Sequence, residues 1–198
     1  MDLKARIQGI LLRPKEEWLK IKEETLPLSE LFTSYVLILA AIPAAAQFIG
    51  YGIVGFRVPF LGLHRLGIGT ALFRSVLAYI FSLVAVFVFG IIINALAPSF
   101  SSTQNLDNAM KLAVYSMTPA WIAGVLHIIY FLSPLVILAS LYGIYILYLG
   151  LVTPLMNTPK DKVVSYLIVS FVIAIVLMAV LGVILNTIFT VGSVYRAF

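Results

Sequence analysis

The sequence predicts an all-α integral membrane protein, with five transmembrane helices preceded by a short amphipathic N-terminal helical segment. Three observations carry this fold class. Apolar residues make up 62% of the 198 positions and charged residues only 11%, against roughly 45–50% and about 25% in soluble domains. Twelve charged side chains fall within the first 30 residues, leaving nine for the other 168. Four long stretches carry no charge: Leu31 to Phe56, Ser75 to Leu106, Leu112 to Pro159 and Val163 to Tyr195. A mean hydropathy of +1.10 excludes a disordered chain. No alternating ten-residue segments point to an outer-membrane barrel. The chain has no cysteine, which removes disulfides, thiolate metal sites and cysteine nucleophiles.

Residues 1–30 read as a cytoplasmic, interfacial head, and residues 31–198 as the five-helix transmembrane domain. In the head, Leu3, Ile7, Ile10 and Leu11 recur at helical spacing with Lys4, Arg6 and Gln8 between them, the pattern of a helix lying on a membrane surface. Pro14 opens a second short helix, in which Trp18 and Ile21 anchor at the headgroups while Glu16, Glu17 and Lys20 face water. The membrane-interface anchors are then Leu3, Ile7, Ile10, Leu11 and Trp18. The same stripe also suits packing against the protein's own cytoplasmic loops, and the two readings are compatible.

A hydrocarbon core of about 30 Å takes roughly 20 helical residues. The 48-residue stretch from Leu112 to Pro159 therefore holds two spans, broken at Ser133-Pro134, where proline restricts its neighbour and removes a backbone donor. The spans fall near 31–54, 72–97, 112–132, 134–154 and 164–191. With the N-terminus inside, nine basic residues lie on the cytoplasmic side. Arg57, Arg65, Arg74 and Arg196 lie outside. The positive-inside rule favours this orientation, with the C-terminus outside and no cleavable signal peptide.

The net charge of +5 is scattered singly between apolar runs, so nucleic acid is not an expected partner. Gly50-Tyr51-Gly52-Ile53-Val54-Gly55 spells a dinucleotide fingerprint, but it follows a membrane helix and no acidic residue occurs between Glu30 and Asp107. The glycines are read instead as loosening the exit of the first span. His64 and His127 have no carboxylate near in sequence to complete a metal site. The absence of any carboxylate within a span argues against a proton- or sodium-driven pump. No catalytic constellation can be assembled, so neither an enzyme nor a cofactor is expected. Asn94 and Asn186 read as interhelical glue.

The densest polar constellation lies in the third to fifth spans. Tyr115-Ser116-Met117-Thr118-Pro119 sets two hydroxyls beside a helix-breaking proline whose freed carbonyls they can satisfy. Tyr142, Tyr145 and Tyr148 lie three residues apart over about 9 Å of depth, too deep for an interfacial belt, and read as an inward face. The expected intramembrane polar core is Tyr115, Ser116, Thr118, Pro119, Tyr142, Tyr145 and Tyr148.

These residues, in this order, resemble the Yip1 domain family in its bacterial and archaeal form. The resemblance rests on Pro14 with Trp18 and Ile21; Ala41-Ile42-Pro43 followed by Phe48-Ile49-Gly50; Tyr115 to Pro119; Tyr142 to Gly150; and Met156-Asn157-Thr158-Pro159-Lys160-Asp161-Lys162. It implies a five-helix membrane protein with a cytosolic N-terminus. Eukaryotic members are trafficking factors that bind prenylated Rab-type GTPases. That role is not carried over, because the head here is short and the Asp-Leu-Tyr-Gly-Pro signature is absent from this chain. The expected function is non-enzymatic: membrane organisation or scaffolding in a prokaryotic plasma membrane, with membrane lipids and a membrane-protein partner or second copy as partners. The alternative is a small transporter or channel with a path between the third, fourth and fifth spans.

Overall fold

The computed structural model describes residues 2–58, 62–153 and 155–194, with side chains except at 57, 58, 63, 178 and 180–194. Two short helices form the head. Helix α1, Leu3–Leu12, starts where the Asp2 carboxylate accepts the Ala5 N–H at 3.1 Å. Helix α2, Pro14–Glu23, opens on proline, whose fixed φ and missing N–H suit a first turn. Glu16 and Glu17 in its first turn and Lys20 and Lys22 in its last complement the helix dipole.

Helix α3, Leu28–Val54, runs through Pro43 and contains two wide π-type turns, Phe32–Val36 and Ile49–Val54. Thr33 and Ser34 donate back to the carbonyls of Ser29 and Glu30 at the first of these, the kind of side-chain competition that disturbs a regular ladder. Gly55, at φ 89°, ends the helix. The Gly50–Gly55 run is therefore an ordered, widened helix end with Gly50 and Gly52 buried, rather than a loosened exit. A small antiparallel hairpin follows, β1 Phe56–Val58 with β2 Gly62–His64, Phe56 opposite His64.

Helix α4, Ile68–Phe100, ends in a 3₁₀ turn that Pro98 enters and Ser101 closes at φ 54°. Helix α5, Leu106–Ser116, is capped by the Asn105 side chain, which accepts the Asn108 N–H at 3.0 Å. Met117 interrupts it. Helix α6, Thr118–Ala123, carries Pro119 in its first turn and tightens into a 3₁₀ stretch to Ile128. The third span thus starts at Leu106 rather than 112 and is two pieces rather than one. An extended Ile129 and a 3₁₀ turn, Tyr130–Leu132, lead into helix α7, Leu135–Val152. Helix α8, Lys160–Val194, has 35 residues.

Among the described residues, four helices are long and apolar enough to cross a membrane: Leu28–Val54, Ile68–Phe100, Leu106–Ile128 and Tyr130–Val152. The segment expected as the fifth span, 164–191, lies in α8, with side chains described as far as 177 and at 179. Asn186 and Arg196 lie outside them. Helix α5 is the axis of the fold, since every residue from Ala109 to Ser116 is buried. Around it pack α4 and α7 and, through Trp18 and Lys111, the head, while α3 and α8 lie against α4. The outer surfaces are apolar: α4 shows Phe73, Ile80 and Phe87, α7 shows Ile137 and Leu141, and α8 shows Ile168 and Ile175. That distribution is stable only with hydrocarbon as the solvent.

Candidate functional site

The head is inserted against the bundle. Trp18, Ile21 and Ile10 are all fully buried, and the Trp18 indole Nε1 donates to the Ile146 carbonyl of α7 at 3.1 Å. Glycine at 150 makes this fit possible: a Cβ there would stand 2.8 Å from the Trp18 ring and 2.2 Å from Leu112 Cδ2. On the other flank, the Tyr142 hydroxyl donates to the Leu11 carbonyl at 2.8 Å. Lys111, itself buried, donates from Nζ to the carbonyls of Ile21 at 3.3 Å and Glu24 at 2.7 Å. It caps the C-terminal end of α2, where a cation is favoured by both geometry and dipole.

At the centre of this seam sits a charged cluster. Arg6 is 6% exposed and Glu17 also 6%. Arg6 Nη1 pairs with Glu17 Oε1 at 2.6 Å, and Nη2 pairs with Glu24. Lys20 Nζ reaches Glu17 Oε2 at 3.2 Å. Burial works against the Arg6 charge, but the hydrogen bond with Glu24 and the surrounding acidic groups outweigh it and hold the guanidinium above its ordinary pKa.

From Arg6 the contacts run inward through aromatic rings. The guanidinium carbon lies 5.5 Å from the centre of the Tyr115 ring, within cation–π range. Tyr115 meets Trp18 edge-on at 6.1 Å and Tyr35 edge-on at 5.0 Å, arrangements that suit the ring quadrupole. The Tyr35 hydroxyl then shares a hydrogen bond of 2.8 Å with Thr118 Oγ1. Local structure sets each partner: Tyr35 sits in the first wide turn of α3, Tyr115 at the buried end of α5, and Thr118 beside the proline that opens α6. One polar and aromatic seam therefore links the head to the break in the third span.

Of the expected core, Tyr115, Ser116, Thr118 and Pro119 are buried together. The α7 tyrosines are different. Tyr142 and Tyr148 are half-buried, and Tyr145 is 45% exposed on the outer surface. The close-packed stripe of α7 is Gly143, Ile146, Leu147 and Gly150, a regular helical repeat, and the bulky tyrosines border it. Of the expected anchors, Leu3, Ile7 and Leu11 are half-buried. Ile10 and Trp18 have no surface left for lipid, and Glu17 does not face water.

The head's charges are what sequence reasoning missed. A signal for them exists. Glu17 lies within the stripe Pro14, Trp18, Ile21, and Arg6 within the stripe Leu3, Ile7, Ile10, so each helix carries one charge on its apolar face, of opposite sign. Tyr35 and the fully buried Tyr166 also escaped notice. His127 Nδ1 lies 3.1 Å from Ser133 Oγ, and Asn94 Oδ1 has no hydrogen-bond partner. Among the described residues, no three His, Asp or Glu side chains gather as a metal site would require.

The Yip1 domain family model matches residues 9–182. The chain is 29% identical over 201 residues to the inner membrane protein YohC of Escherichia coli K12, an alignment covering 98% of this chain and all of that protein. The YohC protein of E. coli O6:H1 matches with the same identity and coverage. No solved structure matches the chain.

Proposed function

Because the chain belongs to the Yip1 domain family, we propose that it works without catalysis as a scaffold of the inner membrane, using its docked head to organise lipid or a protein partner at the cytoplasmic face. One observation carries this reading. Two polar groups of the third span, Tyr115 and Thr118, are engaged in holding the head through Arg6 and Tyr35, so these two do not line an aqueous path. The outer surface of the head supports contact with a membrane. Leu12 is 77% and Leu19 50% exposed, and Lys4 and Lys15 lie exposed for anionic headgroups. The fifth span is α8, with the N-terminus inside and the C-terminus outside. The charge asymmetry supports that arrangement.

The test exploits a chain without cysteine. A single cysteine replacing Thr118 should resist water-soluble thiol reagents from both sides of the membrane. Cysteines replacing Leu12 or Leu19 should react with lipid-phase reagents or crosslink to a partner. Labelling of position 118 from the water phase on both sides would replace the scaffold with a transport path between the third, fourth and fifth spans.

A further inference from the structure

Beneath the head, two cavities meet inside the bundle. The first, of about 220 Å³, lies between the end of α5 and the middle of α7, and Ser116, Ser140 and Gly143 form part of its wall. The second, of about 350 Å³, lies between α4, α6 and α8 against Ser82 and Trp121. Phe89, Met117 and Phe171 line both, so the two adjoin around those side chains. Both reach the apolar outer surface of the bundle, the first at the exposed Ser140 and the second beside Ile175, 66% exposed.

We propose that this paired cavity binds a neutral lipid, one whose head is an uncharged carbonyl or hydroxyl oxygen and whose body is an apolar chain. Ser116 supplies the first reason. It is 4% exposed, and its hydroxyl has no hydrogen-bond partner. A buried hydroxyl without a partner is costly in hydrocarbon, and an ordinary lipid tail cannot satisfy it. Gly143 holds the place open for this geometry, since a Cβ there would stand 2.5 Å from the Ser116 carbonyl oxygen. The second cavity adds another donor. Trp121 Nε1 donates to Ser82 Oγ at 3.1 Å, which leaves the Ser82 hydroxyl proton available.

Charge and depth then select the lipid. No charged residue lines either cavity, so a phosphate or ammonium head would be desolvated without a counter-ion. Ser116 lies five residues beyond Lys111, which is held at the cytoplasmic head. That is about 7.5 Å along the helix, below the interface of a core of about 30 Å. A phospholipid head belongs at the interface, whereas the oxygen of a diacylglycerol or a long-chain quinone can sit at this depth. The inference stands whether or not the docked head is the element that meets a partner.

The experiment uses the full chain in nanodiscs, with three photoactivatable probes: a diacylglycerol, a long-chain quinone and an anionic phosphatidylglycerol. Labelling by at least one neutral probe should map to the peptides carrying Ser116, Phe171 or Ser82. The unlabelled form of the same lipid should displace it, and which of the two does so identifies the source. Ser116→Ala should weaken labelling by about three- to tenfold, the worth of one neutral hydrogen bond. Ala174→Phe, which fills the second cavity from its wall, should abolish it. An unchanged thermal melt by circular dichroism establishes in each variant that the head and bundle remain folded. The proposal is overturned if neither neutral probe labels these peptides, if the phosphatidylglycerol probe labels them equally, or if both substitutions leave labelling as in the parent protein.

Discussion

At the scale of single residues, Arg6 and Glu17 are the most exacting pair in the protein. Each is charged, each is nearly inaccessible, and they meet at 2.6 Å. Two buried charges that satisfy one another roughly offset their desolvation, while one left alone does not. Arg6→Met should therefore destabilise head docking by about 3–5 kcal/mol, because Glu17 would remain buried with only Lys20 at 3.2 Å. The double substitution Arg6→Met with Glu17→Met should return close to the parent stability. Denaturant titration of the purified protein in a Trp121→Phe background, following the burial of Trp18, measures both. If the double variant loses as much as the two single variants together, the residues do not act as a unit. Glu24 contributes less than its contact suggests, since its side chain is 39% exposed and solvent screens the pair.

At the scale of elements, the head is a pair of short helices that could not be stable alone. Each has 10 residues, below the length at which isolated helices persist in water. Docking stabilises them through three anchors of different chemistry: the Trp18 indole in the notch at Gly150, Lys111 on the end of α2, and Tyr142 on Leu11. The notch is the anchor with the least tolerance. Gly150→Ala places a methyl 2.8 Å from the indole and 2.2 Å from Leu112, so the head must move. In a Trp121→Phe background, which leaves Trp18 as the only tryptophan, the emission should shift to the red, with faster proteolysis after Lys20 or Lys22. An unshifted spectrum would mean that Leu112 and the indole both relax and that α7 does not fix the position of the head.

At the scale of the whole molecule, the arrangement of charge relative to the bundle sets orientation. The proposed topology places the head, Lys111 and the Lys160–Lys162 segment on one side, with Arg65 and Arg74 on the other. A reporter fused after Phe198 should be exported, and one inserted near Lys160 should remain cytoplasmic. Finding both on the same side would remove α8 as a span and reduce the domain to the four helices Leu28–Val54 through Tyr130–Val152. A lysine that caps α2 ties the start of the third span to the head, so the two must share a side.

Membrane residence, the Yip1 resemblance, the polar break at Tyr115 to Pro119 and the helical stripes of the head were legible in the sequence, because each is a local property: hydropathy, an ordered set of motifs, a proline, a period of 3.6. Span boundaries near Leu106 and Met117 were read less well, since a capping Asn105 and a one-residue interruption leave hydropathy almost unchanged. Tertiary structure alone decided what the polar residues do. In a chain whose apolar residues face both lipid and interior, periodicity cannot distinguish the two, so by sequence the α7 tyrosines look inward, although Gly143 and Gly150 mark the packed side. The partners of Arg6 in the head, Glu17 and Glu24, lie 11 and 18 positions away, and Tyr35 meets Thr118 across 83. The opposite charges on the two apolar stripes of the head signal that Arg6 and Glu17 need partners, but which distant residues meet carries no signal in a single sequence. The contacts exist because the wide turn in α3, the break after Ser116 and the notch at Gly150 bring distant groups into one buried seam, where every charge and hydroxyl must find its partner or remain a cost to the fold.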